Sequence, residues 1–171
     1  MKKMEPFMKK IAVIALILLL FFPGACAREE AVLKPDDAIT IAVTVDCVSI
    51  LNNSNVSQKG RDLLDLLIEK DLSDQKGLMF RGDVNIAPAQ SAFHALQNTG
   101  LELRYRESAF GPFVHSISGL GDKDAGPLSG WVYLVNGEAP DVSSGLFKLE
   151  DGDILHWRFT VEETDLFLDL P

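Results

Sequence analysis

LSGWVYLVNGEAPDVSSGLFKLEDGDILHWRFTV, residues 128 to 161, is the stretch whose reading decides the fold. Trp131, Tyr133 and Val135 alternate with Val132 and Leu134, so both faces of this segment are apolar. A strand covered on both sides requires that pattern. Asn136-Gly137 follows at once, a pair that tolerates the positive φ angles of a tight turn. Asp151-Gly152-Asp153 supplies a second turn. After it Leu155, Trp157, Phe159 and Val161 point one way, and His156, Arg158 and Thr160 point the other.

Working outward, Ile39, Ile41, Val43 and Val45 alternate with Thr40, Ala42, Thr44 and Asp46 and predict a first strand. Leu63, Leu64, Leu67 and Ile68 recur at helical spacing, with Arg61, Asp62, Asp65 and Glu69 opposite. Gly77 to Ile86 has mixed character and reads as a strand or an extended crossing. Ala89, Ala92, Phe93 and Leu96 predict a second helix that stops at Asn98-Thr99-Gly100. Leu101, Leu103 and Tyr105, then Phe113 to Ile117, predict two further strands, and Gly119 to Gly130 a glycine-rich turn region. Strand, helix, mixed segment, helix and then several strands is the order of an α+β domain with helix packed on one sheet face.

The N-terminus carries Lys2, Lys3, Lys9 and Lys10 before an apolar run of 12 residues, Ile11 to Phe22. That run is shorter than the roughly 20 residues needed to span a bilayer, and it predicts an export signal over residues 1–25. Gly24-Ala25-Cys26 resembles a bacterial lipobox, although Pro23 stands where leucine is usual. The expectation is a lipid on Cys26 that anchors the exported chain to the outer face of a membrane. Cleavage after Ala27, with ordinary secretion, is the alternative. Residues 26–37 read as a tether, 38–161 as the domain, and 162–171 as an acidic and apolar tail that no period assigns.

The chain carries −9, and removing residues 1–25 leaves −12. Such acidity argues against nucleic acid as a partner. If Cys26 is lipidated, Cys47 is the sole remaining cysteine, and its apolar strand-end context predicts a buried, inert thiol. No serine sits in a nucleophile elbow. His94, His115 and His156 have no spacing suited to a shared metal and read as surface or edge residues. GDKDAG at 121–126 opens like a calcium loop but lacks the late Glu, and Asp122 reads as solvated. Arg81-Gly82-Asp83 reads as a turn, and the two Asn-x-Ser triplets near Asn52 and Asn55 as loop. The expectation is a non-enzymatic protein with no catalytic residue and no metal site.

The aromatic residues are the remaining candidates. Trp157 and Phe159 read as core. Trp131 follows Ser129-Gly130 at the mouth of a loop, where a flat apolar ligand could stack on it.

Several features together resemble the transcobalamin-like C-terminal domain family. They are Ser129-Gly130-Trp131-Val132-Tyr133 with Val135-Asn136-Gly137, then Phe147-Lys148-Leu149, Asp151-Gly152-Asp153 and Trp157. Val45-Asp46-Cys47 with Ile50-Leu51 is similar to the family's opening strand, and Ser91 to Leu96 to its helix. The resemblance implies a β-grasp, ubiquitin-like sheet with a helix on one face. It also implies a ligand site at Ser129, Gly130, Trp131, Asn136 and Phe147, with a corrinoid such as cobalamin as the candidate ligand. The larger helical domain of the cobalamin carriers has no counterpart in this sequence. The family's bridge from the Cys47 position cannot form either, because Ala125 stands where its partner would be. The alternative function is a protein-interaction or anchoring module that docks a surface protein.

Overall fold

The structure, a computed structural model, describes residues 37–167. The export signal, Cys26 and residues 168–171 of the tail lie outside them. The strands are β1 (Ile39–Asp46), β2 (Leu78–Ile86), β3 (Leu103–Arg106), β4 (Phe113–Ile117), β5 (Leu120–Gly121), β6 (Gly130–Val135) and β7 (Ile154–Thr160). The helices are α1 (Ser49–Asn52), α2 (Gln58–Glu69) and α3 (Ala92–Gln97), followed by a 3-10 turn over Glu163–Phe167. The architecture is α+β. One sheet has the order β2-β1-β7-β6 and a second the order β3-β4-β5.

In the first sheet β1 and β7 run parallel at the centre, flanked by antiparallel partners β2 and β6. The odd-numbered side chains of β1, β6 and β7 face one way. Ile41, Val43, Val45, Trp131, Tyr133, Leu155, Trp157 and Phe159 share a core with Leu64 and Leu67 of α2 and Phe93 and Leu96 of α3. Strict alternation put them there, and burying each large apolar side chain contributes about 1.5–3 kcal/mol. Helix α2 starts at Ser57, whose hydroxyl accepts from the Gly60 amide at 3.1 Å.

Four local readings change. Ala89 has φ +63 and belongs to the turn before α3, not to the helix. His94 is not a bare surface residue: its Nδ1 lies 2.7 Å from the Ser91 hydroxyl and closes a capping box on α3. Arg81-Gly82-Asp83 lies inside strand β2 rather than in a turn. Asp122 is half-buried, and burial raises its carboxyl above the ordinary range. Opposing that rise are His115, the Trp131 backbone N–H, Arg106 and Lys123.

The turn after β6 is as expected. Asn136 has φ +53 and Gly137 φ +85, and Val135 and Glu138 bond across it. Gly137→Val is expected to cost about 1–2 kcal/mol, because a β-branched residue is strained there. A urea melt checks this, and an unchanged midpoint would contradict it.

The largest difference concerns the second face of β7. His156 and Arg158 do not face open solvent. Asp46, fully buried at the end of β1, lies 2.5 Å from His156 Nε2 and accepts from Arg158 Nε at 3.1 Å and Nη2 at 3.2 Å. Arg158 Nη1 donates to the carbonyl of Asp165 at 3.3 Å. The Asp165 carboxylate in turn accepts from the Val161 and Glu162 amides and from Asn53. The start of the tail therefore folds back over the sheet, held by polar bonds that no apolar period announces.

Cys47 is fully buried and free, with its thiol donating to the Gly77 carbonyl at 3.4 Å. Burial pushes the thiol up to about 12. Labelling at neutral pH is expected to be slow in the folded protein and fast in denaturant. Fast labelling of Cys47 without denaturant would refute its burial.

Candidate functional site: an aromatic cleft beside β6

Strand β6 is an edge of its sheet, and β4 of the second sheet lies beside it. The even-numbered residues of β6 turn their backbone toward β7, as the bond from Asn136 N–H to the Ile154 carbonyl continues. The odd-numbered ones turn outward. At the ends of the strand that outward row is occupied: Val135 N–H donates to the Glu138 carbonyl, and Trp131 N–H serves the Asp122 carboxylate. Between them Tyr133 faces a cleft of about 200 Å³. Phe113 and Val114 form its far wall, Trp131, Tyr133 and Trp157 its near wall, and Pro140 its rim.

Aromatic stacking fixes the near wall. Tyr133 and Trp157 lie stacked with centroids 5.4 Å apart, and Trp131 meets Phe159 edge-on at 5.4 Å. The Tyr133 hydroxyl donates to the Val142 carbonyl at 2.6 Å. Trp131 Nε1 donates to the Leu120 carbonyl at 2.8 Å and so ties β6 to β5. Trp131 is 7% exposed. It is a wall of the cleft and a member of the core at once.

A second groove of about 350 Å³ shares Phe113, Trp131 and Val132 with the first and continues along Leu128, Ser129 and Gly130. Ser129, Gly130 and Trp131 thus come together at one surface. The Ser129 hydroxyl is engaged locally, donating to the Gly126 carbonyl at 2.9 Å and accepting from the Ala125 amide at 3.1 Å. Phe147 stands behind the near wall, its ring centroid 6.4 Å from that of Tyr133. Asn136 lies at the far end of β6, where its side chain bonds Asp153 and the Ile154 amide.

Sequence reading missed Phe113 and Leu128. Their signal was an aromatic and a leucine beside Pro112 and Pro127, both left exposed, Leu128 by 81%. It also missed a basin beyond Phe113 lined by Arg104, Arg106, His115 and Lys123 together with Asp122 and Asp124. The Arg106 guanidinium sits 4.6 Å over the Phe113 ring and joins this basin to the apolar cleft. Asp124 is engaged by Lys59 at 2.6 Å and by the Gly121 amide.

Residues 89–161 match the model of a domain of unknown function, DUF4430. The matched span runs from the turn before α3 through β7 and contains both walls of the cleft. No curated protein matches the chain. Among solved structures, haptocorrin in complex with Cbi is similar at 14% identity and a TM-score of 0.49, over 75% of this chain and 26% of haptocorrin. This chain therefore spans about a quarter of haptocorrin's length. A protein from Ruminococcus gnavus ATCC 29149, described as a candidate metal binding protein, is similar at 14% identity and a TM-score of 0.43. That likeness covers 71% of this chain and 96% of the other. Among the described residues no group of three His, Cys, Asp or Glu side chains is placed to hold a metal ion.

Proposed function

We propose that this protein is an exported, non-catalytic binding module of the transcobalamin-like type, built on a β-grasp sheet and lipid-anchored through Cys26. The central parallel pair β1 and β7, flanked by antiparallel strands, supports the β-grasp reading. The observation that carries the function is the aromatic cleft, in which Phe113 faces Trp131 and Tyr133 across the gap between two sheets. Such a slot accepts the edge of a flat ligand, and Arg106 and Lys123 would donate to polar substituents on its rim. The motif resemblance makes a corrinoid the candidate.

Sites that enclose a small ligand measure roughly 300–1,000 Å³. A 200 Å³ cleft takes an edge and not a whole corrinoid. Binding is therefore expected on the order of micromolar or weaker, about −8 kcal/mol or less favourable. Calorimetry with cobalamin and cobinamide tests it, and Phe113→Ala should weaken binding while the exposed position leaves the fold intact. No heat at high micromolar folded protein would remove the corrinoid reading. The protein-docking reading would then stand, favoured by the exposed apolar residues Phe110, Val142 and Leu146 close to the cleft. Intact-mass analysis of protein from its host tests the anchor: a mature chain beginning at unmodified Arg28 would refute it.

A further inference from the structure

The opposite edge of the main sheet, β2, has a property that the binding reading does not use. Ala42 N–H donates to the Asp153 carbonyl and Gly152 N–H to the Thr40 carbonyl, so even-numbered residues of β1 turn their backbone toward β7. Odd-numbered residues of β1 therefore bond β2, in the pairs Ile41 with Val84, Val43 with Gly82 and Val45 with Phe80. It follows that Phe80, Gly82 and Val84 of β2 are paired inward. Arg81, Asp83 and Asn85 send their N–H and C=O groups outward, as far as the bulge at Met79. Among the described residues Asn98 donates to the Asn85 carbonyl at 2.9 Å at one end, and past the bulge Asp74 bonds both backbone groups of Leu78 at the other, which leaves Arg81 and Asp83 between them. The Arg81 and Asp83 side chains are exposed, and Leu78, Met79 and Phe80 are half-buried.

We propose that β2 pairs antiparallel with β2 of a second copy about a two-fold axis at Gly82, joining the two sheets into one. Charge selects this register. Centred on Gly82, Arg81 faces the second copy's Asp83 and Asp83 faces its Arg81, two cross-strand ion pairs. A centre at Arg81 would set two guanidiniums opposite each other, and a centre at Asp83 two carboxylates. The backbone agrees: Arg81 and Asp83 both direct their groups outward, so each exchanges two hydrogen bonds with its counterpart. On the inner face Phe80 meets the second copy's Val84. Edge strands ordinarily use charge to prevent such pairing. Here the charges are self-complementary, which is what an isologous interface requires.

Sedimentation equilibrium of the protein as its host processes it tests the proposal. The wild type should show a monomer–dimer equilibrium. Arg81→Asp and Asp83→Arg should each raise the dimer dissociation constant by about tenfold or more, since each turns both ion pairs into repulsions. The double reversal should restore it to within a few-fold. Gly82 provides a geometric check, because its pair across the axis is non-hydrogen-bonded, with Cα atoms about 4.5 Å apart, within disulfide reach. A Cβ at Gly82 meets only the Phe80 ring at 3.4 Å, so Gly82→Cys is tolerated. In a Cys26→Ser background it should cross-link under mild oxidation much faster than the exposed control Leu128→Cys. A monomer at every concentration up to about 1 mM overturns the proposal, as do a dimer indifferent to either reversal and equal cross-linking of the two cysteines.

Discussion

Arg158→Met is expected to destabilise the folded chain by about 3–5 kcal/mol, because it leaves Asp46 buried without its guanidinium. Asp46 and Arg158 are both fully buried, and the carboxylate receives two bonds from that one side chain. Replacing Asp46 by Leu in the same chain should recover most of the loss, since a buried ion pair and a packed apolar pair are often close in stability. Urea midpoints measure both. A loss under about 1 kcal/mol for Arg158→Met would show that the pair does not hold this end of the sheet.

Acid provides an independent check with a definite sign. Burial alone would raise the Asp46 carboxyl, but hydrogen bonds and charge from His156 and Arg158 outweigh it and hold the group below its ordinary value. A depressed carboxyl contributes its full stabilisation above the unfolded value of about 3.9 and loses it as pH falls through the folded one. The wild type should therefore lose stability below about pH 4 more steeply than Arg158→Met does.

Trp157→Ala is the second large effect, again about 3–5 kcal/mol, from removing a buried aromatic and leaving a cavity. Trp157 is 3% exposed and stacked on Tyr133, so its loss also loosens the near wall of the cleft. Among the described residues its Nε1 finds no hydrogen-bond partner. A buried donor in that state costs about 1–3 kcal/mol, so Trp157→Phe, which deletes it, should cost much less than the alanine change. Calorimetric melts of the two variants decide this. An equal drop in both would mean that the donor is satisfied in solution.

What the sequence disclosed follows from how local each signal is. The alternation of Leu155, Trp157 and Phe159 and the Asn136-Gly137 pair are encoded within a few residues, and both strands and the turn formed where expected. Helix α2 was legible from Leu63, Leu64, Leu67 and Ile68 for the same reason. His156 read as a surface or edge residue because its partner, Asp46, is more than a hundred residues away, and the pairing of Arg158 with that carboxylate was hidden for the same reason. The far wall of the cleft was hidden likewise. Phe113 meets Trp131 only once two sheets are placed side by side, and no period along the chain records that placement. Trp131 was found as a site candidate, but its bond to Leu120 and its burial came only with the structure.

The position of β7 sets the order in which this protein can acquire its structure. The last of the described strands lies between β1 and β6, and its bonds to β1 close a loop of more than a hundred residues. Contacts that distant make folding slow relative to helical domains of similar size. Until residue 154 is available, β1 and β6 each lack their central neighbour, and most of the core face has nothing to close against. A nascent chain thus stays open until β7 itself has been made, and a truncation before β7 removes the middle of the sheet rather than its margin.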